Sequence, residues 1–158
     1  MDDALLTRVV IYQGFKIYGV HLGTQVPTPA RESGPPSHMP PNIYQAQEAM
    51  LANRAKSAEW DYITLPPSVI VSGNINGNPM NMAAVIGTFA AISRELGVPL
   101  RYPGSEAAHR VLMQTTDTAL LGEASLWPTE TEGIGGEAFN VTNGDIFRWE
   151  RLWRDIVA

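Results

Sequence analysis

Thr7-Arg8-Val9-Val10-Ile11-Tyr12 is the stretch from which the fold is read. Residues 9–12 are apolar on both faces, and three of them are β-branched. A run so short and so apolar reads as a buried strand of a parallel sheet, whose faces are both covered. A loop over 24–41 follows, with six of the chain's twelve prolines and no hydrophobic period. Such a segment runs over the surface as extended chain. Asn42 then reads as the N-cap of a helix over 43–57, with Met50 and Leu51 on its apolar side. Residues 62–65 form a second strand candidate, resuming at 69–71, and 72–79 is turn chemistry throughout. The next helix, 80–96, is stopped by Gly97 and Pro99. It is apolar nearly all round (Met82, Val85, Ile86, Phe89, Ala90, Ile92), so it should be largely buried or in an interface. A helix over 117–127 comes next. Gly135-Gly136 then lead into a third strand, 138–141. The last helix, 145–157, puts Ile146, Trp149, Leu152, Trp153 and Ile156 on one stripe. This alternation predicts a small α/β domain with a parallel sheet.

Composition sets the outer bounds. The 158 residues suit one domain, 1–158, with a core that hides roughly two-thirds of the unfolded surface. With 44% hydrophobic and 17% charged residues the chain reads as an ordered globule. Its net charge of −5, with basic residues scattered, offers no stripe for phosphates, so no nucleic-acid partner is expected. The lack of cysteine excludes a disulfide scaffold, a Cys-type zinc site and a thiol nucleophile. Met1-Asp2-Asp3-Ala4 has no basic n-region, so no secretory signal and a cytoplasmic location are expected. The longest apolar run, near 83–92, is broken by Gly87 and Thr88, far short of the roughly 20 residues a membrane helix needs.

Four segments carry a resemblance. Gly14-Phe15-Lys16-Ile17-Tyr18-Gly19-Val20-His21-Leu22-Gly23 is similar to the "TG-x-K-H-Y-G" segment of the progesterone 5β-reductase/iridoid synthase family. Pro41-Asn42-Ile43-Tyr44-Gln45-Ala46-Gln47-Glu48 resembles that family's "N-F-Y-Y-x-x-E-D". Leu100-Arg101-Tyr102-Pro103-Gly104-Ser105 matches its "L-x-F/Y-P-G-S". Glu137-Ala138-Phe139-Asn140-Val141-Thr142-Asn143-Gly144-Asp145-Ile146-Phe147-Arg148-Trp149 is close to its "E-A-F-N-x-x-N-G-D-x-F-x-W". These are atypical short-chain dehydrogenases that reduce enones with NADPH. The similarity runs nearly end to end and corresponds to the C-terminal half of a family enzyme. The resemblance therefore implies a truncated Rossmann-like domain, lacking the N-terminal dinucleotide-binding half.

Two departures bear on the cofactor. The dinucleotide fingerprint needs a strand, a Gly-rich turn and a helix N-terminus, and nothing before Val9 provides it. Gly133-Ile134-Gly135-Gly136 precedes a strand and reads as a tight turn. Where the family has "R-P-x-x-I-x-G" beside the nicotinamide, this chain has Leu65-Pro66-Pro67-Ser68-Val69-Ile70-Val71. The arginine is leucine and the glycine is valine. The expectation is therefore no cofactor, with NADPH only under a reductase reading.

By resemblance, Tyr44 is the catalytic tyrosine and Lys16 its partner. The physical reason for such a pair is general: a phenol of pKa about 10 is a weak acid alone, and a nearby ammonium favours its anion. Met80, Met82 and Phe89 match a segment that lines the family's substrate pocket, and Asn78 is grouped with them as substrate-binding. Each is equally a core or turn residue. His21, His38 and His109 are far apart, so no metal site is expected. Asp117 and Glu123 read as surface charges, and the Asn140-Val141-Thr142 sequon is discounted because it falls in a strand.

Three functions stay open. The first is a cofactor-independent cyclase or isomerase, pericyclase included, acting on an unsaturated carbonyl natural-product intermediate, with Tyr44 near Lys16 polarising the carbonyl. The second is an NADPH-dependent enone 1,4-reductase, with this chain a fragment or subunit needing a separate Rossmann half. The third is a non-catalytic binding protein on a decayed enzyme fold. A strand edge and helix faces left bare by truncation predict a homodimer or larger homo-oligomer.

Overall fold

The computed structural model describes residues 6–23, 26–34, 40–74 and 78–158. In chain order its elements are β1 (Arg8–Tyr12), α1 (Ile43–Ala55), β2 (Asp61–Leu65), β3 (Val69–Val71), α2 (Met82–Glu95), α3 (Glu106–Arg110), β4 (Thr115–Asp117), α4 (Thr118–Leu126) and α5 (Trp149–Val157). Short 3-10 turns occupy Phe15–Tyr18, Val20–Leu22 and Trp127–Thr129. Two small parallel sheets form, β1-β2 and β3-β4. The chain divides into two compact units, residues 1–68 with 120–141 and residues 69–119 with 142–158.

The first unit is built on β2. Val10 faces Ile63 in the parallel β1–β2 register, and Ile63 and Leu65 are wholly buried. On the other side of β2, residues 136–141 run alongside it. Phe139 N–H donates to the Thr64 carbonyl at 3.0 Å and Val141 N–H to that of Pro66 at 3.2 Å. The expected strand over 138–141 is reduced to isolated bridges, Thr64 with Ala138 and Pro67 with Val141. Pro66 and Pro67 have no N–H to return, so no ladder can continue there. Helix α1 packs on β2 through the buried Leu51. Met50 is half exposed, because neighbouring residues on a helix point about 100° apart and cannot share one face. Arg8 ties the unit together, bonding Asp61 at 2.5 and 2.7 Å and the carbonyls of Pro128 and Thr131.

In the second unit, Ile70 faces Thr116 across β3–β4, and α2 packs on β3. Asn81 caps α2: its carbonyl oxygen accepts from Ala83 N–H and Ser72 N–H, and its amide donates to the Ser72 carbonyl. The expected burial of α2 is not seen. Ser93 is its one buried residue, while Val85, Ile92 and the C-cap Leu96 are exposed. A single strand pair covers only one stripe of a helix. The core is aromatic instead. Tyr102 lies 5.4 Å from Trp153 and 6.0 Å from Trp149 between ring centroids, and Trp153 donates its indole N–H to the Leu100 carbonyl at 3.2 Å.

Helix α5 starts at Trp149, four residues later than the stripe predicts. Phe147 exchanges both backbone hydrogen bonds with Met113, at 2.8 and 3.0 Å, which holds the preceding residues extended. Ile146 is accordingly exposed. Helix α3 and strand β4 were not read from the sequence. Ser105 followed by Glu-Ala-Ala was the available signal for α3, since its hydroxyl accepts from Ala108 N–H at 3.1 Å as an N-cap.

Candidate active site

The first unit gathers the two residues of the expected polar pair. Strand β1 is followed by Gln13, whose buried side chain donates to the Glu48 carboxylate on α1 at 2.7 Å. Gly14 follows with φ 66° and ψ 164°, a region open essentially to glycine alone. It turns the chain into the Phe15–Tyr18 helix, closed by Ile17 N–H to the Gly14 carbonyl and Gly19 N–H to the Lys16 carbonyl. Lys16 projects into solvent. Tyr44 lies half-buried in the first turn of α1.

One side chain touches both segments. The Asn42 carbonyl oxygen accepts from Tyr44 N–H at 2.9 Å, and the Asn42 amide donates to the Lys16 backbone carbonyl at 3.1 Å. The bare backbone of Gly14 completes the spot. A Cβ there would stand 3.9 Å from the Tyr44 hydroxyl and 4.0 Å from the Pro67 carbonyl oxygen. Among the described residues, the Tyr44 hydroxyl and the Lys16 ammonium have no hydrogen-bond or ion-pair partner. The phenol O–H is thus available to an oxygen that approaches over Gly14.

A second phenol, to which the sequence assigned no role, lies in the same unit. Tyr18 donates its hydroxyl to the Asn140 side-chain oxygen at 2.7 Å. Its pKa is raised, first by burial and then by the Glu32 and Glu48 carboxylates, with the Asn140 bond opposing. The Asn140 N–H donates to Glu32 at 2.9 Å, so this asparagine is fixed within the unit. The K-x-Y spacing within Lys16-Ile17-Tyr18 was the signal that could have found it.

The residues expected to bind substrate lie in the second unit. Asn78 accepts from Met80 N–H at 2.9 Å, Met80 is exposed, Met82 opens α2, and the Phe89 ring lies 6.5 Å from that of Trp153. None of them lines that unit's open cleft of about 600 Å³, which is walled by Leu112, Phe147, Arg148, Arg151 and Arg154 among others. His109 stacks on Tyr102 at 4.7 Å, and His38 lies outside the described residues. Among the described residues no group of three or more His, Asp or Glu is placed to hold a metal, and no helix is long and apolar enough to cross a membrane.

Gly133–Gly136 was the nearest match to a nucleotide turn. Gly136 N–H donates to the Tyr62 carbonyl at 2.6 Å, and a Cβ on Gly135 would meet the Asp61 carboxylate at 2.6 Å. Glycine there serves close packing on β2, beside a negative charge. The turn does not fit a pyrophosphate.

Residues 3–158 match the model of the PRISE-like Rossmann-fold domain. The chain belongs to that family. Relatives include an uncharacterised protein of Schizosaccharomyces pombe, 35% identical over 96% of this chain and 38% of its own length. The (S)-8-oxocitronellyl enol synthase CYC2 of Camptotheca acuminata is 34% identical, over 72% of this chain and 29% of that enzyme. The 3-oxo-Δ(4,5)-steroid 5-β-reductase of Arabidopsis thaliana is 32% identical over the same shares. The chain thus spans well under half the length of these curated relatives. Among solved structures it resembles RMD from Pseudomonas aeruginosa complexed with NADPH, with a TM-score of 0.67 and 16% identity, covering 96% of this chain and 49% of that one. It also resembles WbmH of Bordetella bronchiseptica in complex with NAD+, with a TM-score of 0.59 and 17% identity, covering 95% of this chain and 44% of that one.

These structures correct the expectation of no cofactor. The PRISE-like chain shares its fold with proteins that hold NADPH and NAD+. A glycine turn and one arginine report single contacts to a dinucleotide, whereas the α/β scaffold as a whole sets the crevice it occupies. The changed motif at residues 65–71 is therefore no ground for a cofactor-free role.

Proposed function

We propose that this PRISE-like chain is the carbonyl-recognising part of a nicotinamide-nucleotide-dependent enzyme that reduces or reductively cyclises unsaturated carbonyl compounds. The observation that carries this reading is the Tyr44 hydroxyl, half-buried beside the side-chain-free backbone of Gly14 and joined through Asn42 to the Lys16 segment. The names of the steroid reductase and enol synthase relatives supply the substrate class. Tyr44 donates its O–H to the carbonyl oxygen and stabilises the negative charge that grows there. Lys16 adds positive charge nearby. The glycine turn at 133–136 does not fit a pyrophosphate, and the residues named act at the carbonyl.

The test is NADPH consumption with progesterone as the enone probe, for the chain alone and joined to the N-terminal half of the Arabidopsis relative. Tyr44→Phe should lower kcat on the order of 10²-fold, as loss of one preorganised donor does. Lys16→Ala should act in the same direction. Equal kcat in wild type and Tyr44→Phe, or turnover without any nucleotide, refutes the reading.

The exposed Val85 and Ile92 of α2, with Leu96 at its C-cap, support a homo-oligomer as the assembled state. Light scattering that gives a monomer at micromolar concentration counts against it.

A further inference from the structure

We propose that Asn42 is a positioning residue that sets the Lys16 segment against Tyr44, beyond its role as a helix cap. The proposal rests on the reading of Tyr44 and Lys16 given above. An N-cap needs only its side-chain acceptor, which Asn42 directs to Tyr44 N–H at 2.9 Å. Serine, threonine or aspartate would do that equally well. Asparagine alone among the good caps also carries an N–H₂, and here it donates to the Lys16 backbone carbonyl at 3.1 Å across 26 residues of sequence. The Lys16 carbonyl accepts from Gly19 N–H as well, at 3.0 Å, so the bond from Asn42 seizes the short helix at its own closing hydrogen bond.

The need for such a tether follows from the fold. The Phe15–Tyr18 helix holds no buried residue and lies between two glycines of positive φ, Gly14 at 66° and Gly19 at 83°. With no buried side chain of its own, the turn has little apolar packing to hold it in place. Tyr18 anchors its far end to Asn140, and Asn42 anchors the lysine itself to the first turn of α1. One planar amide with both ends engaged fixes the offset between the Lys16 backbone and the Tyr44 backbone.

The experiment separates the two halves of the amide. Asn42→Ser and Asn42→Asp keep the cap acceptor and lose the N–H₂. Two such variants are needed because aspartate also places a negative charge near Lys16. Amide hydrogen exchange by NMR on this chain is the first readout. Protection should persist at Tyr44 and Ala46 and fall by about tenfold at Ile17 and Gly19, the worth of one hydrogen bond. Unchanged protection at Ile17 and Gly19 overturns the tether. The second readout is the progesterone assay. Both variants should lose roughly ten- to hundredfold in kcat, with KM within about twofold, because misplacement acts on the reacting geometry. Loss of exchange protection with kcat intact, while Tyr44→Phe abolishes turnover, overturns the positioning role and leaves the functional reading standing. If Tyr44→Phe itself has no effect, the functional reading is what fails, and the exchange result still decides the tether.

Discussion

Gly14→Ala isolates a backbone cost from a steric one. The methyl group would stand 3.9 Å from the Tyr44 hydroxyl and 4.0 Å from the Pro67 carbonyl oxygen, which is ordinary contact. The dihedrals are the obstacle: φ 66° with ψ 164° costs a side-chain-bearing residue on the order of 1–3 kcal/mol. Alanine also narrows the unfolded ensemble, which offsets about 0.4–1 kcal/mol. The net loss is roughly 1–2 kcal/mol, or about 0.5–1 M in a urea midpoint at an m-value near 2 kcal/mol/M. Gly122→Ala provides the contrast within the same unit. It sits in helix α4 with nothing within 4 Å of an added Cβ. There alanine should stabilise by about 0.5–1 kcal/mol, the ordinary gain over glycine in a helix. Urea unfolding followed by circular dichroism measures both. Midpoints that move in the same direction, or a neutral Gly14→Ala, would refute the reasoning from φ.

Other perturbations test the packing. The hydrogen bond and charge of Arg8 hold the Asp61 carboxyl below its usual value of 3.8. A depressed acid contributes stability that is present above the unfolded value and lost as pH falls through the folded one. Asp61→Asn should therefore lower the urea midpoint at pH 7 and flatten its decline on acidification below pH 3.8; an unchanged acid limb counts against the pair. Thr64 is buried, and its hydroxyl has no hydrogen-bond partner among the described residues. Thr64→Val should raise stability by about 1 kcal/mol, since an unsatisfied hydroxyl is removed at equal shape; a lower thermal midpoint would show that the hydroxyl is in fact engaged. Trp153→Phe strips the donor from the Leu100 carbonyl and thins the aromatic core. It should cost on the order of 2 kcal/mol by urea unfolding and lose near-UV ellipticity.

Legibility in the sequence followed the range of the forces involved. Strand β1, the start of α1 at Asn42 and the stop of α2 before Gly97 were readable because each rests on local chemistry: β-branching, a capping amide, a left-handed glycine. The start of α5 was misread because Phe147 bonds to Met113, 34 positions away, and no local signal announces that bond. The strand over 138–141 failed for a related reason, since its partner β2 runs into two prolines. Within the candidate site, Lys16 and Tyr44 rest on motif resemblance, whereas the sequence reads Asn42 as a cap alone. Its second bond depends on where the Phe15–Tyr18 turn lies in space.

The sequence by itself determined the α/β class, the family resemblance and the residue types able to engage a carbonyl. Hydrophobic period, caps and turn residues are encoded within a few positions of one another. Only the tertiary structure decided that Gly14 lies bare beneath the Tyr44 hydroxyl, that Tyr18 is held by Asn140, and that glycines 133–136 pack against β2 and its Asp61. Those facts are distances between segments remote in the chain. They are fixed by which hydrogen bonds and apolar faces win when the whole unit packs, a competition that no single stretch of residues contains.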